Sequence, residues 1–254
     1  MRISAIWMSL IIGSVVGLAQ PAFEVASIKP STSREMGGIH VYPGGRMEFR
    51  GCTLHYLIEQ AFSVQDFQLS GGPGWIQSER YDIDAKPPAS SKSSQYMPPY
   101  SKAPVLEEQR EMLVSLLVDR FEFKYHRDTR EGQVYLLVKG NKPLNMKDAE
   151  DKNGYPWAGS PRGGMLEGDG IQGANESMAD LAWRLSPYLG RPVLDQTGIS
   201  GSFDFLIRYT PDTDHPDIVN MILMVVQDLG LKLQPSRGAV ETILIDHIAK
   251  PSAN

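Results

Sequence analysis

Apolar side chains recur along the chain at two spacings. In TLHYLIEQAF, residues 53–62, Leu54, Leu57, Ile58, Ala61 and Phe62 recur at three- and four-residue intervals, the single stripe of an amphipathic helix. In SMADLAWRLSPYL, residues 177–189, Met178, Leu181, Ala182 and Leu185 repeat those intervals 124 residues later. Thr53 and Ser177 stand where a hydroxyl caps the first free N–H groups of a helix, and Ser177 with Asp180 has the spacing of a capping box. After each helix come a glycine-rich turn and a strand, RYDID from Arg80 and SFDFL from Ser202. Second helices are predicted through residues 112–119 and 221–228. Phe121, Phe123 and Tyr125 then alternate in FEFKY, as Leu229, Leu231 and Leu233 do in LGLKL, the period of a half-buried strand. Segments rich in Arg, Asp and Gly lead from these into VYLLV at Val134 and VETILID at Val240, so each half is expected to close on a β-hairpin.

Two tandem related halves, each running strand, helix, strand, helix, hairpin, account for this order and predict an α+β fold. The opening FEVASIKPS from Phe23 and the closing TILIDHIAKPS from Thr242 both read as strands stopped by Lys-Pro. Residues 140–164, rich in Gly, Pro, Asn and charge, read as a connection between the halves. The expected organisation is a signal peptide over 1–19, a first half over 20–147, a linker over 148–164 and a second half over 165–254. Residues 86–104, KPPASSKSSQYMPPYSKAP, interrupt the first half where the second has only TPDTDHP. Their proline and serine leave little to bury, and they read as mobile filler in preference to a lid.

The first twenty residues, MRISAIWMSLIIGSVVGLAQ, place Arg2 ahead of an uncharged run that ends on small residues near Ala19. That is the layout of a cleaved signal peptide; the run is at the short limit for crossing a hydrocarbon layer of roughly 30 Å. The expectation is an exported protein, periplasmic or extracellular, with no stable membrane span after cleavage. Loss of Arg2 makes the net charge of −5 one unit more negative, a sign that opposes a nucleic-acid partner. Cys52 is the sole cysteine, so no internal disulfide staples the fold.

The run GDGIQG, residues 168–173, has the spacing of a dinucleotide-binding loop, and Asp195 follows at about the right distance. Such a loop needs a buried apolar strand before it. RGGMLE, from Arg162, is short and polar, and the corresponding GRMEFRGC from Gly45 lacks the glycine trio, so a structural turn and no nucleotide cofactor are expected. DQTG from Asp195 departs from the Asp-Thr-Gly of aspartic proteases by an inserted glutamine, and the matching WIQS from Trp75 brings no second aspartate. TPDTDHPD, from Thr210, groups Asp212, Asp214, His215 and Asp217, oxygen and imidazole donors suited to a divalent metal. These four are the candidate metal ligands, although Asp217 also stands at the N-cap of the helix beginning at Ile218. The sequence contains no HExxH, GxSxG or Walker loop, and no catalytic residue is assigned. Cys52 reads as a buried thiol, whose activation would need His55 near its sulfur. His126 and His247 lie at strand positions and read as structural. Trp75, in GGPGW, reads as a packing residue before a binding one.

FEVASIKPS, GGPGWIQSERYDIDAK, LVDRFEFKYHRDTRE, PVLDQTGISGSFDF and the tail DLGLKLQPSRGAVETILIDHIAKPSAN together resemble a large paralogous family of exported soil-bacterial proteins, a soil-associated domain of unknown function. The likeness runs over nearly the whole chain after the leader. It implies export, and it supplies no catalytic residues. For some members it implies partnership with antirepressor-type membrane metallopeptidases, hence an extracytoplasmic sensing role and an envelope protein partner. The expected function is a non-catalytic binding or interaction module, with a sensor domain or a metal-assisted hydrolase using residues 212–217 as alternatives.

Overall fold

A computed structural model describes residues 20–33, 38–95, 105–151, 156–159, 170–209 and 217–251 of the chain. The fold is α+β, and its longer helices form where the apolar stripes predict. Helix α1 (Leu54–Phe62) buries Leu54, Leu57, Ile58, Ala61 and Phe62, starts on the Thr53 hydroxyl, which accepts from the Tyr56 N–H, and stops at Ser63 in the left-handed region. After the GGPG turn comes a single helical turn, α2 (Trp75–Ser78). Helix α3 (Glu107–Phe121) begins with Glu107 and Glu108, whose charges suit the positive end of its dipole. Helix α4 (Met178–Leu189) starts on the Ser177–Asp180 capping box, and α5 (Ile218–Asp228) on Asp217.

The strands form three four-stranded sheets among the described residues. One outer sheet orders β1 (Val25–Pro30), β5 (Arg80–Lys86), β3 (Met47–Thr53) and β2 (Gly38–Val41). The other orders β7 (Lys147–Asp148), β11 (Phe203–Arg208), β9 (Gly170–Glu176) and β8 (Trp157–Gly159). Position by position the two orders correspond, all pairings are antiparallel, and in each the third strand runs directly into a helix, β3 into α1 and β9 into α4. Each third strand also breaks register just before its helix, at Gly51 (φ 56°) and Asn175 (φ 53°). Their N–H groups donate to Asp82 at 2.8 Å and Asp204 at 2.9 Å. Glycine and asparagine tolerate this left-handed backbone where a branched side chain would be strained.

The central sheet departs from expectation. It orders β10 (Val193–Asp195), β6 (Lys124–Lys139), β12 (Leu231–His247) and β4 (Leu69–Gly71), and the two terminal hairpins expected from the sequence do not form. Instead β6 and β12 each run straight through their polar middles, 16 and 17 residues long, and pair antiparallel with one another. The polar residues expected to form turns are cross-strand partners: Arg127 pairs with Glu241, Arg237 with Glu131, and Gly132 faces Gly238. Strands β4 and β10 add in parallel at opposite edges.

This ribbon carries part of each half into the other half's core. The first core joins Met47, Phe49, Leu57, Ile83, Leu117 and Phe121 to Ile243, Ile245 and Ile248 from the chain's end. The second joins Ile171, Leu181, Phe205, Val225 and Leu231 to Leu137 of β6. Of residues 148–164, Asp148 and Trp157–Gly159 are strand residues of the second outer sheet. Part of the proline-serine segment is also anchored: Ser91 and Ser93 are buried, and both hydroxyls donate to Glu108 Oε2, at 2.9 and 2.7 Å.

Candidate functional site

Three of the four expected metal ligands, Asp212, Asp214 and His215, lie outside the described residues. Asp217 is engaged as the cap of α5, accepting from the Asn220 N–H at 3.0 Å and the Asn220 amide at 2.7 Å. Of GDGIQG, residues 170–173 are strand, within β9. A Cβ at Gly173 would sit 2.3 Å from the Phe205 ring, so this glycine serves packing between strands. Asp195 accepts from the Thr197 N–H and hydroxyl at 2.9 and 2.8 Å, an aspartate turn. Cys52 is buried; its thiol donates to the Gly38 carbonyl, and burial pushes its pKa up to about 11, which leaves it protonated and a poor nucleophile. Among the other histidines, His126 Nδ1 lies 2.9 Å from Asp246, and His247 Nε2 lies 3.6 Å from Glu122. Trp75 is half-buried, with the Lys250 ammonium 5.8 Å from its ring centre.

Two constellations went unread in the sequence. His55, on the first turn of α1, has Nδ1 3.3 Å from Glu59, one helical turn on, and Nε2 3.5 Å from Asp66. The hydrogen bond to Glu59 raises the His55 pKa, with burial opposing. The three side chains offer ligand atoms within 4.8 Å of one another. Such a set suits a divalent cation held by Nε2 and Asp66, with Glu59 orienting the ring from Nδ1, and it suits equally an ion-paired cap joining α1 to the turn after it. The His-Glu spacing of four was visible in the sequence; the approach of Asp66 was not. The second constellation is Glu176, whose side chain has no exposure. Its Oε1 accepts from Arg184 Nε at 2.9 Å, and its Oε2 has no hydrogen-bond partner among the described residues. Burial pushes its pKa up to about 7 against the pull of Arg184.

An open groove of about 550 Å³ lies beside β11, lined by residues 144–147 on one side and by parts of β9 and β11 on the other. Strand alternation turns Phe205 and Ile207 into the core and Leu206 outward, 46% exposed. Leu144, across the groove, is 41% exposed. The charges at the rim are already engaged: Lys147 pairs with Glu150, and Asp204 accepts from the Asn175 and Glu150 N–H groups at 2.9 and 3.1 Å.

The family described as protein of unknown function (DUF3738) matches residues 55–248. The chain belongs to this family. No curated protein and no solved structure matches the chain. The matched residues run from His55 to Ile248, so the family's span takes in the His55 cluster, Glu176, the groove and the whole central ribbon.

Proposed function

We propose that the chain is an exported, non-catalytic binding module that engages an envelope protein through the groove beside β11. The observation that carries this reading is the pair of exposed aliphatic side chains, Leu144 and Leu206, facing a groove whose rim charges are engaged within the chain. Apolar groups kept open to water, one on a strand otherwise packed into a core and one facing it across the groove, favour a partner. A volume of about 550 Å³ is also ordinary for a ligand site, typically about 300–1,000 Å³. The signal-peptide pattern of residues 1–19 and the likeness to exported soil-bacterial proteins support a location outside the cytoplasm and, with it, a role as an extracytoplasmic sensor or adaptor.

The test places a photo-crosslinking amino acid at position 206 and, as a control, at exposed Glu131 in the ribbon, in the full chain expressed in its native cells. The expected result is a chain cleaved near Ala19 that captures one reproducible envelope protein from position 206 and not from 131. Equal capture from both positions, or a chain retained in the cytoplasm, would refute the reading.

A further inference from the structure

Resting on the binding reading above, we propose that the groove receives an extended peptide segment, which adds to the sheet as an antiparallel strand along β11.

The first outer sheet supplies the template. There β5 has β3 on one side and β1 on the other, and β1 pairs with it across six consecutive positions, from Val25 opposite Lys86 to Pro30 opposite Tyr81. In the second outer sheet β11 takes the place of β5, and β7 takes the place of β1. Lys29 opposite Asp82 has its counterpart in Lys147 opposite Asp204. The second pairing then ends, because β7 meets β11 at Phe203 and Asp204 alone. Beyond Lys147 the preceding residues leave the strand, and the Asn145 N–H donates instead to the Leu229 carbonyl at the end of α5, at 3.1 Å. The groove runs from these departing residues across β11 to Gln172, Gly173 and Ala174 of β9.

The phase of the ladder is fixed by the Ala149 N–H, which donates to the Ser202 carbonyl at 2.9 Å. In an antiparallel pair, hydrogen-bonding residues alternate, so Asp204 and Leu206 turn their backbone groups toward the β7 side. Asp204 meets Lys147 there, whereas Leu206 has no strand opposite it among the described residues. A strand edge with outward N–H and C=O groups is the recognition element for an added strand. The chemistry of the incoming segment follows from the walls. Leu144, Ala174 and Leu206 favour aliphatic or small side chains at the outward positions of the added strand, the face that Ser27 takes opposite Asp84 in the first sheet, while its inward positions stand opposite Phe205 and Ile207, as Ile28 and Ala26 stand opposite Ile83 and Ala85.

The probe is a blocked hexapeptide, acetyl-Ser-Val-Ser-Ile-Ser-Val-amide, with an analogue N-methylated at alternate residues so that it cannot complete a ladder. Hydrogen exchange of the full chain after its leader is followed by NMR. The expected result is at least tenfold slower exchange of the Leu206 amide with the hexapeptide and none with the analogue. Leu206→Lys, an exposed edge substitution, should weaken binding at least tenfold while the remaining amide spectrum is unchanged; Leu144→Lys, on the opposite wall of the groove, should give the same loss if Leu206→Lys perturbs the fold. Binding without protection of Leu206, or no protection at millimolar hexapeptide, overturns the strand. Capture of a partner from position 206 in cells would still stand in that case, which separates failure of this inference from failure of the binding reading.

Discussion

Glu176 illustrates how one buried carboxyl sets a pH dependence. Its folded pKa of about 7 lies above the 4.5 of an unperturbed glutamate, with burial as the main cause and Arg184 opposing. The folded chain therefore holds this proton over a pH range in which the unfolded chain has released it. Its contribution to stability is fully present below about pH 4.5 and is lost as pH rises through about 7. Glu176→Gln keeps an oxygen for Arg184 and removes the titration. Thermal melts between about pH 5 and 8 should show the native melting temperature falling more steeply with pH than that of the variant, and the variant should be the more stable at the alkaline end. Parallel pH profiles would mean that Glu176 is not the group responsible. At the same scale, packing can write the letters of a motif. Within GDGIQG, Gly170 and Gly173 each stand where a Cβ would meet β11, the Ile207 carbonyl at 2.7 Å and the Phe205 ring at 2.3 Å, so a packing constraint alone calls for glycine at two of its positions.

At the scale of elements, α1 and α4 were legible down to their caps, because a helix stripe and a capping hydroxyl are local signals. Strands β5 and β11 were legible for the same reason, through alternation. The ribbon was not. Residues 126–133 of β6 and 234–242 of β12 contain no buried side chain, so apolar alternation, the only local mark of a strand, is missing there. Polar residues around a glycine then look like a turn, and only the pairing partner, more than a hundred residues away, shows otherwise. The groove was hidden likewise, since it arises from where residues 144–147 leave β11. The ribbon's two regimes predict different costs. Leu137, fully buried between β10 and β12, should cost about 2–5 kcal/mol on replacement by alanine. Glu131→Ala, which removes an exposed partner of Arg237, should cost about 1 kcal/mol or less. Denaturant midpoints at constant slope measure both, and similar costs would contradict the division of the ribbon into anchored end and exposed middle.

For the whole molecule, the exchange through β6 and β12 decides what can fold alone. The two outer sheets each have a helix pair and a core, and by layout alone either half would pass for an independent domain. The cores say otherwise: Ile243, Ile245 and Ile248 close the first, and Leu137 enters the second. A fragment of residues 20–147 would lose those three isoleucines and leave Phe62, Phe123 and Tyr125 facing a missing strand. Deleting so much apolar burial from one core, at about 2–5 kcal/mol for each large aliphatic side chain, is comparable to the whole stability of a domain, about 5–15 kcal/mol. The fragment should show helical far-UV dichroism without dispersed amide resonances, whereas a chain cut between β8 and β9 keeps every core strand. Fragments 20–164 and 165–254, mixed, should regain the dispersed spectrum, each supplying the strand the other lacks. A dispersed spectrum from residues 20–147 alone, at a concentration where the fragment is monomeric, would show that the ribbon joins two finished domains and is not part of either core.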